Sequence, residues 1–428
     1  MSDDKFDVIV VGAGLAGCTA AFLMAQAGME TLVIERGNFA GAKNMTGGRL
    51  YAHSLEAIFP GFADDAPVER CIVHEKISFM DETSSVTLDY ASTASGSPAE
   101  RSYSVLRSRL DPWLAEKAES AGAVFVTGVR VDDLLVRYGK VCGVIAGGEE
   151  MEADMVILAD GVNSLLGEKL GMVHTVTPHH CAVGVKEVIE LGRQKVNDRF
   201  GCCDKDGAAW LFAGMPSAGY MGGGFIYTNE DSISLGVVFG LHNTGRSAKS
   251  VPQMLEDFKN HPTVRPLVEG GKLVEYSAHV VPEGGMEMAP KLVGEGVLIV
   301  GDAAGFCLNA GYTVRGMDLA VASGKAAAVA AINAWQRADF GASSLSVYER
   351  ELDGSFIMKD LRLYRKLPSF LDNRRMYNDY PAMATGMMKD LFTVNGPSRP
   401  LRKKMIPHLK KAGFMNLIKD GWKGVRSI

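Results

Sequence analysis

Paired cysteines and long apolar runs are both missing from this sequence of 428 residues. Its seven cysteines form no Cys-x-x-Cys spacing, so we expect no bound metal, no disulfide framework and no redox-active dithiol. No apolar run reaches the roughly 18 residues of a membrane-spanning helix. The N-terminus has no basic region, apolar region and cleavage site in succession, so we expect a cytoplasmic protein in a reducing compartment.

Positive charge is scarce outside the segment 399–428. The formal net charge is −5, yet this segment holds nine of the 45 Lys and Arg residues and one of the 50 acidic residues. Together with Phe414, Leu417 and Trp422, these charges predict a basic amphipathic helix over 408–425. Such a helix could touch an anionic membrane or an acidic partner, and a solvated tail packed on its own domain is equally compatible with the pattern.

The strongest signal lies in the first 35 residues. An apolar, β-branched run at 6–11 predicts a buried parallel strand, and Gly12, Gly14 and Gly17 follow at the spacing Gly-x-Gly-x-x-Gly. The first glycine permits a tight turn, the second lets amides approach a pyrophosphate, and the third lets helix and strand pack closely. A second strand ends at Glu35, whose carboxylate can accept hydrogen bonds from an adenosine ribose. These features predict a dinucleotide-binding βαβ unit.

Two later strands end in ligand-facing turns. One leads to Asp160 and Gly161, and the other leads to Gly301 and Asp302, followed by a small-residue helix predicted over 316–335. Asp302 could bind a chain of sugar-like hydroxyls, and the start of the helix could stabilise negative charge on a reduced ring. We expect both turns beside the nucleotide at one edge of the sheet.

The region between these turns contains weaker signals. Asp111 is predicted as a helix N-cap, with Pro112 in the first helical position. Arg109, just before it, could hold a phosphate oxygen or a surface carboxylate, and the second is the more common role of an arginine. Short strands at 122–126, 129–137 and 140–146 predict a β-meander inserted in the nucleotide-binding domain.

From 171 to 290 the sequence alternates between polar and apolar residues, which predicts an inserted antiparallel sheet with a hairpin at 225–238. The aromatic and Met residues of 207–228 suit an apolar ligand or the core of this sheet, and the pattern does not choose between them. After about residue 345 the sequence predicts helices broken by prolines.

Taken in order, the three turns resemble the FAD-binding motifs shared by aromatic hydroxylases, geranylgeranyl reductases and electron transfer flavoprotein:quinone oxidoreductases. Five shorter motifs resemble the last family and its FixC type: 222–227 (GGGFIY), 258–262 (FKNHP), 269–271 (EGG), 281–285 (VPEGG) and 316–324. The resemblance as a whole covers residues 5 to about 390. The resemblance implies an α/β chain, α+β overall. Its expected domains are a Rossmann-like FAD-binding domain from 1–170 and 290–345, an inserted antiparallel quinone or substrate domain at 171–289, and a helical C-terminal region at 346–428.

The resemblance also implies a ligand set, while no catalytic acid, base or nucleophile is expected, because the flavin carries the chemistry. The expected FAD-binding residues are Gly12, Ala13, Gly14, Ala16, Gly17, Glu35, Arg36, Lys43, Asn44, Thr46, Gly47, Arg109, Asp160, Gly161, Gly301, Asp302, Gly311 and Val314. Gly222 and Gly223 match the glycine pair whose backbone approaches the quinone head group.

By the same resemblance, an electron transfer flavoprotein of the FixA/FixB kind reduces FAD, and the electrons pass to a quinone or to a small ferredoxin-like, FixX-like protein. Full-length family members end in a domain with four cysteine ligands for a [4Fe-4S] cluster, whereas the last cysteine here is Cys307. We therefore expect a FixC-type chain without that domain, whose basic tail is a candidate docking surface. Its expected location is the cytoplasm or the inner face of a membrane, and no nucleic-acid partner is expected.

Three other activities are compatible with the same motifs. A geranylgeranyl-type reductase would hold an isoprenoid C=C bond in the apolar pocket, and an aromatic hydroxylase would also admit NAD(P)H. A non-catalytic electron-relay subunit of a Fix-type complex would turn over its flavin only within that complex.

Overall fold

The structure, a computed structural model, describes residues 5–42, 48–92, 96–174 and 177–427. Its strands are β1 (Phe6–Val11), β2 (Thr31–Glu35), β3 (Gly48–Tyr51), β4 (Val68–Met80), β5 (Ser85–Ala91), β6 (Ser102–Val105), β7 (Val124–Thr127), β8 (Val131–Arg137), β9 (Lys140–Ala146), β10 (Glu149–Leu158), β11 (Cys181–Glu190), β12 (Asp206–Gly214), β13 (Gly222–Thr228), β14 (Ser232–Gly240), β15 (Lys272–Pro282), β16 (Val293–Gly294), β17 (Val297–Ile299), β18 (Leu308–Asn309) and β19 (Val314–Arg315). Its helices are α1 (Leu15–Gln26), α2 (His53–Glu56), α3 (Arg107–Ser120), α4 (Leu165–Lys169), α5 (Arg193–Phe200), α6 (Val251–Asn260), α7 (Arg265–Val268), α8 (Met317–Gln336), α9 (Ala342–Leu345), α10 (Val347–Gly354), α11 (Phe356–Leu363), α12 (Leu367–Leu371), α13 (Asp379–Phe392), α14 (Leu401–Ala412) and α15 (Phe414–Ser427).

The first sheet has a parallel centre in the order β17-β10-β1-β2-β7, with β16 antiparallel at one edge. Val10 of β1 stands between Ile157 of β10 and Val33 of β2, and all three side chains are fully buried. Unbroken apolar runs of this kind are typical of a sheet covered on both faces. Helix α1 packs against α3 and α8, so the predicted βαβ unit and the predicted helix over 316–335 are confirmed.

The predicted β-meander is wrong in its first strand. Strand β7 pairs in parallel with β2, and the meander is formed by β8, β9 and the first residues of β10. The reason is that α3 lies between β2 and β7 along the chain, and a helical crossover is the connection that parallel pairing requires.

The predicted start of α3 is also wrong. The helix begins at Arg107, so Asp111 and Pro112 lie inside it and Leu106 is the N-cap. Asp111 is fully buried and pairs with Arg107 one turn earlier, instead of capping the first amides. With this ion pair, the helix begins about one turn before the start that Pro112 indicated.

The second sheet has the order β15-β11-β14-β13-β12-β4-β6-β3, with β5 beside β4. The hairpin of β13 and β14 is confirmed, but β12 and β4 pair in parallel, so the sheet is mixed. Residues 48–105 contribute β3–β6 to it, together with β11–β15 from the predicted insertion. The division of the chain into domains at 170 and 290 stays a prediction.

The C-terminal helices α12–α15 pack against one another and against the second sheet. Helix α13 contacts β4 and α14, and α12 contacts α15. The predicted basic helix is split into α14 and α15 at Gly413, where φ is +81°. Within the described ranges, no helix combines the length and apolarity needed to cross a membrane.

Candidate functional site

A cavity of about 560 Å³ is bounded by both sheets and by the C-terminal helices. Nine of the twenty expected site residues line it, from the start of α1 to the start of β13: Gly14, Ala16, Gly161, Gly301, Asp302, Gly311, Val314, Gly222 and Gly223. The structure therefore brings the two later turns and the glycine pair to the N-terminal motif, although they are up to 300 residues apart in the sequence.

Gly12 and Gly17 do not line the cavity but shape its wall. A Cβ atom on Gly12, where φ is +104°, would lie 2.4 Å from the Ala159 carbonyl oxygen. A Cβ atom on Gly17 would lie 2.0 Å from the carbonyl oxygen of Gly12. Since no side chain fits at either position, the turn before α1 stays close to the sheet, as the motif predicts.

The start of α1 has the properties of an anion site. Its N-cap, Gly14, has no side chain to accept a hydrogen bond, and the first turn has no acidic residue. The first amides of the helix are therefore left to a ligand, and the helix dipole favours a negative one such as a phosphate.

Glu35 is buried at the end of β2 and fixed by two backbone amides. The amide of Ala13 donates to its Oε2 at 2.9 Å, and that of Gly37 donates to its Oε1 at 2.6 Å. A carboxylate has about four acceptor positions, so Glu35 retains capacity for ligand hydroxyls. Ala13, adjoining the cavity-lining Gly14, is thus part of the same turn.

Arg36 and Asp160 do not line the cavity. Arg36 is exposed beside Glu35. Asp160 is partly buried, desolvation raises the pKa of its carboxyl to about 6, and its Oδ1 has no hydrogen-bond partner among the described residues. Lys43, Asn44, Thr46 and Gly47 lie outside the described residues.

Arg109 is not brought to the cavity; Arg107 is. Arg109 is mostly exposed and its Nη1 lies 3.2 Å from the Glu69 carboxylate, which is buried, so it pairs with a protein carboxylate away from the cavity. Arg107 lines the cavity and is held by Asp111 through two hydrogen bonds of 2.5 and 2.7 Å. Because α3 starts earlier than predicted, the two positions face different sides of the helix. The i,i+4 spacing of Arg107 and Asp111 was the signal for this pair.

Asp302 is enclosed at the centre of the cavity wall. Gly301 before it has φ +63° and donates its amide to Ser323 of α8 at 3.0 Å, which ties the turn to the helix. Burial raises the pKa of the Asp302 carboxyl, and the positive charges of Arg107 and His279 oppose that rise. Burial also lowers the pKa of His279, a cavity-lining residue that sequence analysis missed.

Gly222 and Gly223 begin β13, where φ is +140° and +156°. A Cβ atom on Gly222 would lie 2.1 Å from the Val238 carbonyl oxygen, and one on Gly223 would lie 2.4 Å from that of Phe212. The neighbouring strands thus require glycine at both positions. Tyr377, which no sequence signal indicated, also lines the cavity; burial raises the pKa of its hydroxyl, and the nearby Gly222 backbone opposes that rise.

The aromatic residues of 207–228 serve both of the roles that the sequence left open. Leu211, Phe225 and Tyr227 line the cavity. Trp210 stacks on Phe212 at a centroid distance of 4.8 Å, within the core of the second sheet. Alternate residues of a strand point to opposite faces, so one segment supplies core and cavity wall together.

These features fit a flavin dinucleotide: free amides at a helix start, a buried carboxylate at the end of β2, a second carboxylate beside apolar walls. A family model described as an FAD binding domain matches residues 5–194. The fold and the site define an FAD-binding oxidoreductase.

The chain belongs to the electron transfer flavoprotein-quinone oxidoreductase/FixC family. Two further family models match, the ubiquinone-binding model at residues 181–281 and the ETF-QO/FixC C-terminal domain at 367–428. The chain is 61% identical over 429 residues to the "Probable electron transfer flavoprotein-quinone oxidoreductase YdiS" of Escherichia coli K12, with full coverage of both chains. It is 60% identical to "Protein FixC" of the same strain, over 99% of each chain.

Solved structures show the same fold at lower identity. A geranylgeranyl bacteriochlorophyll reductase-like protein from Thermoplasma acidophilum is 21% identical, with a TM-score of 0.72 over 97% of this chain and 98% of that chain. The myxobacterial halogenase CndH is 19% identical, with a TM-score of 0.65 over 97% and 90%. The predicted fold class and cofactor are confirmed.

Proposed function

We propose that this chain takes electrons from an electron transfer flavoprotein and passes them through FAD to a quinone at Gly222 and Gly223, or to a ferredoxin-like iron–sulfur protein. The observation that carries the proposal is the continuity of the cavity from the start of α1, past Asp302, to the glycine pair. This pair lies in the part that the ubiquinone-binding model matches. The relative YdiS is named a probable electron transfer flavoprotein-quinone oxidoreductase, which supports both the proposed donor and the proposed acceptor.

The chain's residues divide into two groups along the cavity. We assign the pyrophosphate to the start of α1, the adenosine ribose to Glu35 and the ribityl hydroxyls to Asp302. Bound FAD supplies one-electron and two-electron transfer. The walls at Leu211 and Phe225 exclude water and accept an apolar ring, and the glycine pair leaves its backbone open to that ring.

The proposal is tested by anaerobic bleaching of the flavin in the purified holoprotein. Reduced electron transfer flavoprotein should bleach it and a soluble quinone should restore the colour, whereas NADPH alone should do neither. Rapid bleaching by NADPH alone would contradict the proposal and favour a hydroxylase or an isoprenoid reductase. Colour that returns only when a ferredoxin-like protein is added would favour the relay subunit.

We also propose that α14 and α15 rest on an anionic membrane, where a lipid-soluble quinone is dissolved. Five apolar residues of α15 lie along one face and are each more than half exposed: Phe414, Met415, Ile418, Trp422 and Val425. Lysines and arginines of both helices flank this face, which matches a negatively charged lipid surface. Helices that lie in the interface do not need to span the bilayer.

Co-sedimentation with vesicles tests the membrane proposal. The holoprotein should bind vesicles rich in anionic lipid, bind zwitterionic vesicles weakly, and dissociate as salt is raised, because about 1 kcal/mol per basic residue depends on surface charge. Equal binding to both kinds of vesicle, or none to either, would contradict it.

A further inference from the structure

One cavity-lining carboxyl group is not among the residues assigned to the cofactor. Glu283 follows β15 directly and lines the cavity. Its backbone amide donates to the His180 carbonyl at 2.7 Å, and its Oε2 accepts from the Asn309 amide at 3.2 Å. The loop and the side chain are both held by these bonds, so the carboxyl has a fixed position on the wall.

Tyr377 connects Glu283 to the predicted quinone site. Burial raises the pKa of the Tyr377 hydroxyl, the charge of Glu283 adds to that rise, and the Gly222 backbone opposes it, so Glu283 and Gly222 both lie near this hydroxyl. All three residues line the same cavity. Glu283 is therefore the carboxyl group associated with the glycine pair, as Asp302 is with the flavin turn.

The surroundings of Glu283 suit proton exchange at neutral pH. Burial raises its pKa to about 7, and the hydrogen bond from Asn309 opposes the rise. Three titratable neighbours stay uncharged, because burial raises the pKa of Cys181 to about 11 and also raises those of Cys307 and Tyr377. The nearby pair of His180 and Glu287 is directed outward, with Glu287 mostly exposed. Among the described residues, no positive charge contributes to the pKa of Glu283.

A quinone needs two electrons and two protons to become a quinol, and the cavity walls contain few groups that can supply a proton. Arginines stay charged at any physiological pH. Asp302 is committed to the flavin turn, and burial disfavours the charged form of His279. Among these groups, Glu283 is the one that both lies near the glycine pair and can donate a proton at neutral pH.

We propose that Glu283 donates a proton to the quinone oxygen, with Asn309 as its positioning residue; this rests on the proposed function. Bound FAD, in its singly protonated anionic hydroquinone form, would supply two electrons and one proton to the quinone. Its second proton comes from Glu283: the carboxyl O–H bond breaks and an O–H bond to the quinone oxygen forms. The products are quinol, oxidised flavin and the Glu283 carboxylate, which regains its proton from solvent.

The test uses the full-length holoprotein and the variant Glu283→Gln, which keeps the shape and the hydrogen bond capacity of the side chain. Quinone reduction should fall about 100-fold or more, in the range of general acid catalysis, and its pH dependence near neutrality should disappear. Reduction of ferricenium, which takes one electron and no proton, should be unchanged. Infrared difference spectra between about pH 6 and pH 8 should show, in the wild type, loss of a protonated carboxyl band that is missing from the spectra of the variant.

Glu287→Gln is the matched control, because Glu287 lies four residues further along the same loop but is exposed. It should leave all three readouts at the wild-type values. Normal quinone reduction by Glu283→Gln with an unchanged pH profile would overturn the proposal, and so would a carboxyl band identical in both proteins. A wild type that reduces no quinone, yet shows the carboxyl band, would contradict the proposed function while confirming the titration of Glu283.

Discussion

Helices α8 and α15 both contain apolar residues, but α8 buries them and α15 exposes most of them. In α8, twelve residues are buried, nearly all of them apolar or small. In α15, only Asp420 and Ser427 are buried, and the apolar residues face outward. Helix α8 is held by close packing, whereas α15 is held by the buried carboxylate of Asp420, its polar anchor.

The difference lies in what each helix offers its neighbours. Gly324 of α8 lets the backbones of α8 and α1 approach so closely that a Cβ atom would lie 2.3 Å from the Ala16 carbonyl oxygen. Asp420 of α15 accepts two hydrogen bonds of 2.7 Å from Arg375 and a third from the Tyr380 hydroxyl. Because the buried and fully paired Asp420 holds α15 in place, the helix does not need to bury its apolar face. That face is therefore exposed and can contact an external surface.

The largest effect is expected from a single methyl group at Gly324. Gly324→Ala should destabilise the protein by about 3 kcal/mol and reduce its FAD content, because the added Cβ overlaps a backbone atom of the turn that holds the cofactor. Urea unfolding and the flavin-to-protein absorbance ratio measure both effects.

The same substitution on α15 should have the opposite sign. A Cβ atom on Gly421 would meet nothing within 4 Å, so Gly421→Ala should stabilise by up to about 1 kcal/mol through helix propensity. If both variants changed stability alike, the contrast between a packed helix and an anchored helix would be wrong.

A smaller effect is expected from the polar anchor. Asp420→Asn removes the charge but keeps the shape, and should cost about 2 kcal/mol at neutral pH while increasing proteolysis within α15. The hydrogen bonds from Arg375 hold the pKa of Asp420 well below its usual range. The stabilisation is therefore present above the unfolded pKa of about 3.9 and is lost as the pH falls below it, so wild type and variant should converge in acid.

Asp390→Asn provides the control for the anchor. Asp390 pairs with His408 at 2.8 Å but is half exposed, so its removal should cost less than about 1 kcal/mol. An equal loss for both variants would mean that burial of Asp420 has no special role.

Much of the fold could be predicted because its signals are local. The first βαβ unit lies within residues 6–35, and the glycines that shape its turn act on backbone atoms a few residues away or on the adjoining strand. The start of α3 could not be placed, because it depends on Asp111 being buried with Arg107, and burial is decided by tertiary packing. A local cap signal then misplaces Arg109 relative to the cavity.

The residues at the proposed quinone end of the cavity were harder to predict from the sequence than those of the first βαβ unit. Glu283 lies in the VPEGG motif at 281–285, which assigned it no role, and Tyr377 comes from a separate segment with no distinctive local pattern. Gly222 and Gly223 were found through a motif, yet the sheet geometry alone requires glycine there. Amphipathic spacing in α15 showed that one face is apolar, but not which face would be buried.

The smallest effect on stability should come from the exposed face of α15. Ile418→Ser combined with Trp422→Ser should change the free energy of unfolding by no more than about 0.5 kcal/mol per site, because both side chains are more than half exposed. Binding to anionic vesicles should nevertheless fall, since these residues supply apolar contact with the lipid. Tyr138→Ser, at an exposed aromatic on the β8–β9 turn, should leave vesicle binding unchanged. A large loss of stability in the double variant would show that this face packs within the protein, as α8 does.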